Sequence, residues 1–527
     1  MEEVGRMEID AEEHLKHSKT LRKKGRFIEA LHHCNRAIKL APGFEKAYVE
    51  ASDVLLKMGF IDKVLDFLKQ AVILNPGSSV AHLKLGHAHV IIGQIDNAIA
   101  CYRRAAKLEL GESGTTAHSR LLHMMYYHPG FDERAILAEA KLFAAKQGEW
   151  RFAVNRCYAR NSETRRLRVG YVSPNFRDHV NSCFTIPLLL NHDRGKFEIF
   201  CYAELEKPDK ISERHASYAD AWRNTHLVGD LQLAKMVEDD GIDVLVDLNM
   251  HAFKARPKLF AQKPAPVQVS WLSYPGTTGI PGIDYRLTDP WLDPPELGDH
   301  RYAEKSIRLP DTFWCFDPLT SDFQPNDLPA LKTGHITFGC LNNFTKVSDD
   351  SLSRWGEIMA KLPGSRLILH VRSPGHTRQR VLDILGRFGI TTTRIDLIEK
   401  RPRAEYLQIY HSVDLCLDPL PFNGGATSID ACWMGVPVVT QVGRTVVGRM
   451  GWSILNNLGL PELAAFDDRA YIATASALAN DLPRLSHLRS TLRGRMEASP
   501  LMDGKRFAEA MEAVYRQIYL EKISDGK

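Results

Sequence analysis

The chain lacks the features that would point outside the cell, to a membrane or to a nucleic acid. Its nine cysteines are scattered, with no Cys-x-x-Cys pair and no histidines at a companion spacing. That pattern argues against zinc and for buried free thiols in a reducing compartment. The first ten residues, MEEVGRMEID, are acidic and hold no apolar h-region, so no secretory signal is read there. No window approaches the roughly 18 apolar residues that a membrane span needs. Charge of one sign is also scarce: 68 Lys and Arg oppose 64 Asp and Glu, a net of +4 with the signs interspersed. No nucleic-acid or membrane footprint stands out from such a distribution. The tightest basic group, Arg165, Arg166 and Arg168, reads as a solvated linker edge. None of the glycine-rich loops ends in the Gly-Lys-Ser/Thr of a Walker phosphate loop. These absences lead to the expectation of a cytoplasmic protein with no metal, no nucleic acid and no membrane partner.

What is present is ample core material and a strict repeat. A chain of 527 residues, 44% hydrophobic and 25% charged, fits three or four globular domains. Gly25, Gly59 and Gly93 recur at a spacing of 34, in register with Phe27, Ile61 and Ile95. Ala30, Val64 and Ala98 keep the same register, as do Ala37, Ala71 and Ala105. Pro42 and Pro76 close the first two units, with Leu110 where a third proline would stand. This period with helical patterning marks tetratricopeptide repeats. Each glycine is expected to end a first helix in a left-handed cap, and each alanine to let the paired helices approach. The prolines end the second helices.

The repeats are expected to occupy residues 1–112, followed by a helical capping and connecting segment over 113–164. Within it, Thr116 to Gln147 looks helical, and LLHMMYYHPGF (121–131) reads as packing material with a Pro-Gly stop. From about residue 165 the pattern changes to short apolar runs separated by helix-length segments. RLRVGYV (166–172), FEIFCYA (197–203), IDVLVDL (242–248) and VQVSWL (267–272) suit a parallel sheet buried on both faces. A proline-rich stretch from Asp289 to Lys332 interrupts the alternation. A second series follows: ITFGCLN (336–342), RLILHV (366–371), RIDLIE (394–399), DLCLDP (414–419) and VPVVT (436–440). The expected class is α/β: two doubly wound lobes, over 165–332 and 333–527, preceded by an all-α repeat domain.

Ligands of such sheets bind beyond the carboxyl ends of strands, so the segments after each run matter most. DPLPFNGGATSIDACWMGVPVVT (418–440) leads from a strand through Gly424 and Gly425 into a helix opening near Thr427. Backbone N–H groups at such a helix start attract phosphate, and glycines admit it closely. Thr427 and Ser428 offer hydroxyls there, and Asp430 an acceptor for ribose. An ordinary N-capped helix is the competing interpretation. In LNNFTKV (341–347), Lys346 follows a strand, placed to neutralise a departing diphosphate or simply exposed on a loop. VSPNFRDHVNSCF (172–184) carries His179 after the opening strand, DLNMHAFKAR (247–256) carries His251 and Lys254, and WLSYPGTTGIPGIDY (271–285) holds a turn at Pro275-Gly276.

The repeats, YHPGF, RLRVGYVSPNF, PAPVQVSWLSYPGTTG, CLNNFTK and NGGATSIDACWMGVPVVT together resemble the O-GlcNAc transferase and Spindly-like family over nearly the whole chain. The resemblance implies a tetratricopeptide superhelix fused to a two-lobed GT-B glycosyltransferase. It implies inverting, metal-independent transfer of N-acetylglucosamine from UDP-GlcNAc to Ser or Thr of proteins, with no cofactor. It places the family's essential lysine at Lys346 and its histidine at His179, with Val180 in place of the usual proline. Asn343 stands where a phosphate-touching glutamine is common. In the nucleoside segment Arg401 to Ile409, Arg403 replaces a ribose-contacting lysine and Tyr406 a base-stacking histidine, and Ile409 carries no basic group. Thr427 and Asp430 match, Gly424 precedes them, and Gly425 and Ala426 leave only backbone donors at two points. Gly276 and Thr277 complete the expected donor contacts. Met250 falls where bacterial relatives show glycine. Two other readings stay open: another donor, GDP-fucose or UDP-Glc, on the same fold, and a non-catalytic repeat adaptor. In each, a protein or peptide is the expected partner of the repeat groove.

Overall fold

The computed structural model describes residues 2–108, 112–146, 165–252, 254–320, 322–371 and 374–525. They form two compact units, one of residues 1–128 with 343–345 and 371–383, the other of 129–342 with 346–370 and 384–527.

The first unit is built from α1 (Glu2–Lys23), α2 (Phe27–Leu40), α3 (Glu45–Lys57), α4 (Ile61–Leu74), α5 (Ser79–Ile91), α6 (Ile95–Leu108) and α7 (Glu112–Met125). Gly25, Gly59 and Gly93 sit at φ of +76°, +83° and +76°, the left-handed caps that the repeat requires. After each, the next N–H reaches back to close the helix end: Arg26 to the Leu21 carbonyl at 3.0 Å, Phe60 to Leu55 at 3.0 Å and Gln94 to His89 at 2.9 Å. The same cap thus recurs in all three units. Ala37, Ala71 and Ala105 are fully buried, as the close helix approach demands. Leu55, Ile61, Val64, Leu65, Leu68, Leu85 and Ile91 form one core across the second and third hairpins. Leu110 lies outside the described residues.

Pro129 and Gly130 separate α7 from α8 (Glu133–Lys146), and the division between the two units falls there. Leu121, Leu122, Met124, Met125 and Tyr126 are buried, in keeping with a packing role. Gln147 and the rest of the connector to residue 164 lie outside the described residues.

The second unit holds two parallel sheets. The first uses β1 (Leu167–Ser173), β2 (Phe197–Ala203), β3 (Ala221–Asn224), β4 (Val244–Asp247), β5 (Val267–Ser270), β6 (Tyr285–Thr288) and β7 (Lys305–Arg308). Their order is β3-β2-β1-β4-β5-β6-β7. The second uses β8 (Thr337–Cys340), β9 (Arg366–His370), β10 (Ile395–Ile398), β11 (Leu415–Leu417), β12 (Val438–Gln441) and β13 (Ala464–Ala465), ordered β10-β9-β8-β11-β12-β13. Each lobe is therefore doubly wound, with the strand order reversing between its first and fourth strands. The apolar runs named from sequence each overlap a strand. β3, β6, β7 and β13 were not anticipated. AWRN, YRLT and KSIR are four residues long and at least half polar, and β13 is a two-residue edge, too short for a periodicity signal. β7 lies inside the stretch read as irregular.

The final helix, Gly504–Asp525, returns from the second lobe and packs on the helix Ser182–Asn191 of the first. There the Nδ1 of His192 lies 2.8 Å from Glu512, and the Asp193 N–H donates to the same carboxylate at 2.8 Å. Ser453 of the second lobe donates to Asp289 of the first at 2.6 Å. Among the described residues, no helix is long and apolar enough to cross a membrane.

Candidate functional site

In the second lobe the winding reverses between β8 and β11, so the crevice beyond their carboxyl ends is the place for a ligand. The loop after β8 ends at Lys346 and the loop after β11 runs from Asp418 to Gly425. Several short contacts pin them together. Val347 bridges Pro421, which follows a cis Leu420–Pro421 peptide. The hydroxyls of Ser348 and Ser351 both donate to the Leu420 carbonyl, at 2.7 and 3.0 Å. Ser348 also caps the helix Asp349–Ala360, accepting from the Ser351 N–H. Lys346 is thereby delivered to the loop. Its ammonium donates to the Asn423 carbonyl at 2.8 Å and lies 4.1 Å from the centre of the Phe422 ring. Withdrawal from water pushes this amine below the ordinary lysine range, and the nearby Asp418 carboxylate opposes the shift.

The helix Ala426–Trp433 begins at this point, with Gly425 as its N-cap. The Ser428 and Ile429 N–H groups close onto the Gly425 carbonyl, at 3.1 and 3.0 Å, which leaves the Ala426 and Thr427 N–H groups of the first turn without a helical partner. Gly424 is required: a Cβ there would lie 2.9 Å from both Asp418 Oδ1 and Thr427 Oγ1 and would overlap the Ser428 hydroxyl. The Thr427 hydroxyl donates to Asn342 at 2.6 Å, and its carbonyl accepts from Tyr410 at 3.0 Å. The Tyr406 and Tyr410 hydroxyls are 2.9 Å apart. Arg403, at the start of the helix Arg403–Ile409, forks onto Asp430 with bonds of 2.7 and 2.6 Å. The sequence expectation treated Arg403 and Asp430 as separate ribose contacts; here they are ion-paired to each other. Thr427, Asp430, Arg403, Tyr406 and Lys346 all gather at this end of the sheet. Asn343 belongs to the repeat-bearing unit, where its Oδ1 accepts from the Thr345 hydroxyl at 3.1 Å.

In the first lobe, His179 follows β1. Its Nδ1 accepts from the Asn181 N–H at 3.1 Å. Burial, with Arg177 and then Lys400 of the other lobe, pushes the imidazole down to about 4. His179 is thus neutral near pH 7, its remaining proton sits on Nε2, and it acts as a hydrogen-bond donor. The SYPGTTG loop requires a correction. Gly276 is buried, and Thr277 is fully buried, donating to Glu304 at 2.8 Å and accepting from the Ala303 N–H. Glu304 also accepts from the N–H groups of Thr278 and Gly279, so Thr277 shapes a turn inside the lobe and is not a donor contact. His251 is likewise fully buried, bound to the Thr278 carbonyl at 2.7 Å, and Lys254 pairs with Glu204 at 3.4 Å. Met250 holds a φ of +43°, the backbone region that favours glycine. Sequence reasoning gave no role to Asp418, Asn342 or Tyr410. The available signal was the position of Asp418, directly after the apolar run of β11.

The profile of Glycosyl transferase family 41 matches residues 134–325 and 325–511, and a tetratricopeptide repeat profile matches residues 80–110. The solved structure of an O-GlcNAc transferase from Thermobaculum terrenum, a lysine-to-methionine mutant, is 31% identical with a TM-score of 0.90, and 99% of each chain is covered. A probable UDP-N-acetylglucosamine–peptide N-acetylglucosaminyltransferase SPINDLY of Petunia hybrida is 34% identical over 429 residues, 79% of this chain and 45% of that protein. A protein of Arabidopsis thaliana with the same description, SEC, is 30% identical over 67% of this chain and 37% of its own length. The chain spans about half the length, or less, of these curated relatives. The profile matches well over half of the chain, in the region that forms the two lobes, and the chain belongs to glycosyltransferase family 41.

Proposed function

We propose that the protein transfers N-acetylglucosamine from UDP-GlcNAc to Ser or Thr hydroxyls of a polypeptide presented by the repeats. The observation that carries this reading is the meeting of one ammonium, Lys346, with an N-terminal helical turn at the strand-order reversal of the second lobe. A nucleoside diphosphate is the leaving group such a site suits. In the proposed step the acceptor oxygen bonds to the anomeric carbon from the face opposite the diphosphate. The bond from that carbon to the phosphate oxygen breaks, and its electron pair leaves with UDP. The acceptor proton passes to water or to a phosphate oxygen. Lys346 and the amides of the helix start neutralise the charge that builds on the diphosphate, where fixed donors cost no reorganisation.

The state of His179 supports a positioning role for its Nε2–H, towards a phosphate or an acceptor hydroxyl, and not that of a base. His179→Ala is expected to lower kcat/KM on the order of a hundredfold, the effect of one lost oriented donor. With the imidazole neutral throughout, the wild-type profile should show no limb near pH 6.5. A limb there that vanishes in the variant would instead make His179 a proton acceptor.

The donor is tested by thermal shift with UDP-GlcNAc, UDP-Glc and GDP-fucose. A ligand at one hundred times its Kd stabilises by about 2.7 kcal/mol. The largest shift is expected with UDP-GlcNAc. GDP-fucose is the second candidate, favoured by a Gly425-Ala426 loop without polar side chains, and a shift confined to it would change the donor. No shift with any nucleotide sugar would favour a non-catalytic adaptor.

A further inference from the structure

Asp418 directly follows β11, at the start of the loop that carries Gly424 and Gly425, and is 3% exposed. Every bond to its carboxylate comes from a group that shapes that loop or the strand beside it. Oδ1 accepts from the Gly424 N–H at 2.7 Å and from the Ser428 hydroxyl at 3.3 Å, and Oδ2 from the Thr440 hydroxyl at 2.7 Å. Two glycines make room for it. A Cβ on Gly424 would stand 2.9 Å from Oδ1, and one on Gly451 would stand 2.7 Å from Oδ2. The backbone is tied down as well, with the Asp418 N–H donating to the Val439 carbonyl at 3.0 Å and the Tyr471 hydroxyl donating to the Asp418 carbonyl at 3.2 Å.

We propose that Asp418 is the positioning residue of the donor site, holding the Gly424–Ser428 turn so that the Gly425, Ala426 and Thr427 amides face outward, and serving as the fixed countercharge of Lys346. The proposal rests on the assignment of Lys346 to the leaving diphosphate. Asp418 touches no substrate and acts through its neighbours. Burial pushes its carboxyl up and the Lys346 ammonium down, and each draws the other back towards its charged form. The other titratable groups around the pair are the Cys340, Cys416 and Cys432 thiols and the Tyr471 phenol, all pushed up by burial and neutral near pH 7. The charge of Asp418 is therefore the nearby charge that sustains the ammonium.

Asp418→Asn keeps the shape, since its oxygen still accepts from Gly424 and its amide can donate to Thr440, but removes the charge. Losing an opposite charge lowers a lysine pKa, so the alkaline limb of kcat/KM is expected to fall by about one pH unit or more. Lys346 is also titrated directly, by competitive acetylation with acetic anhydride across pH and mass spectrometry of its peptide. The same downward displacement is expected there. An unmoved limb together with an unmoved amine titration overturns the proposal, even if the variant is slow. The labelling does not need turnover: an inactive wild type would sink the assignment of Lys346, whereas an active enzyme whose Lys346 ignores Asp418→Asn would sink only this role. Thr440→Val covers the case in which Asp418→Asn does not fold. It removes a donor that favours the carboxylate, so the acidic limb should move up and the alkaline limb stay. An unmoved acidic limb in that variant also overturns the proposal.

Discussion

Lys346→Ala is expected to lower kcat by on the order of a hundredfold or more, the largest loss of any single side chain at the site. The ammonium is held at one point by the Asn423 carbonyl and by the Phe422 ring, so under the proposed function it would meet the diphosphate already oriented. Its value rises in the transition state, when negative charge moves onto the leaving phosphate, and kcat should suffer more than KM. Lys346→Met separates charge from packing: methionine preserves the stem against Phe422 and should be almost as slow as alanine. Arginine should not restore the rate, because its planar fork needs a wider berth than a compact ammonium. The pH dependence has a definite sign. Burial depresses this lysine, so the ammonium is present at low pH and is lost as pH rises through a value below the ordinary lysine range. Steady-state kinetics from pH 6 to pH 10 should show that alkaline limb in wild type. More than about a tenth of the wild-type rate in the alanine variant would contradict the role.

Much of this arrangement could be read from the residues, because the signals were of a kind that sequence carries. The caps at Gly25, Gly59 and Gly93 depend on a backbone region that side chains penalise, so the glycines recur where the geometry recurs. Parallel strands buried on both faces leave unbroken apolar runs, which is why FEIFCYA coincides with β2, Phe197–Ala203. The edge strands left no such trace, since β3 and β7 are half exposed and short. At the site, sequence order located Lys346 and the glycine loop correctly at the carboxyl ends of strands. It could not reveal what each polar group is bonded to. Thr277 looked available in SYPGTTG, yet Glu304, 27 residues later, claims it. Arg403 and Asp430 looked like two ligand contacts, yet they meet across 27 residues as a pair. Asp418 passed as a strand end because its role depends on Gly424, Thr440 and Lys346, which converge only in the fold.

That Arg403–Asp430 pair should give the second large effect, and an asymmetric one. The Asp430 side chain is 3% exposed and that of Arg403 30%. Arg403→Met strands a buried carboxylate, and removing one partner of a buried pair costs about 3–5 kcal/mol. Asp430→Asn leaves the charge on the partner that reaches solvent, and the amide oxygen still accepts from the guanidinium, so a smaller loss of about 1–2 kcal/mol is expected. The double variant Arg403→Met, Asp430→Leu replaces the pair by apolar groups of similar volume and should regain most of the stability lost in Arg403→Met. Chemical denaturation midpoints of the four proteins measure this order. Donor binding should follow a different order. If the pair also holds the ribose, as the family resemblance implies for both positions, the double variant recovers its stability and still shows no thermal shift with UDP-GlcNAc. Equal stability of Arg403→Met and Asp430→Asn would mean that Asp430 is solvated in solution and the pair is not a desolvated one. A double variant that both folds well and binds donor normally would remove Arg403 and Asp430 from the site and leave donor recognition to the phosphate loop, Lys346 and the remaining candidate residues.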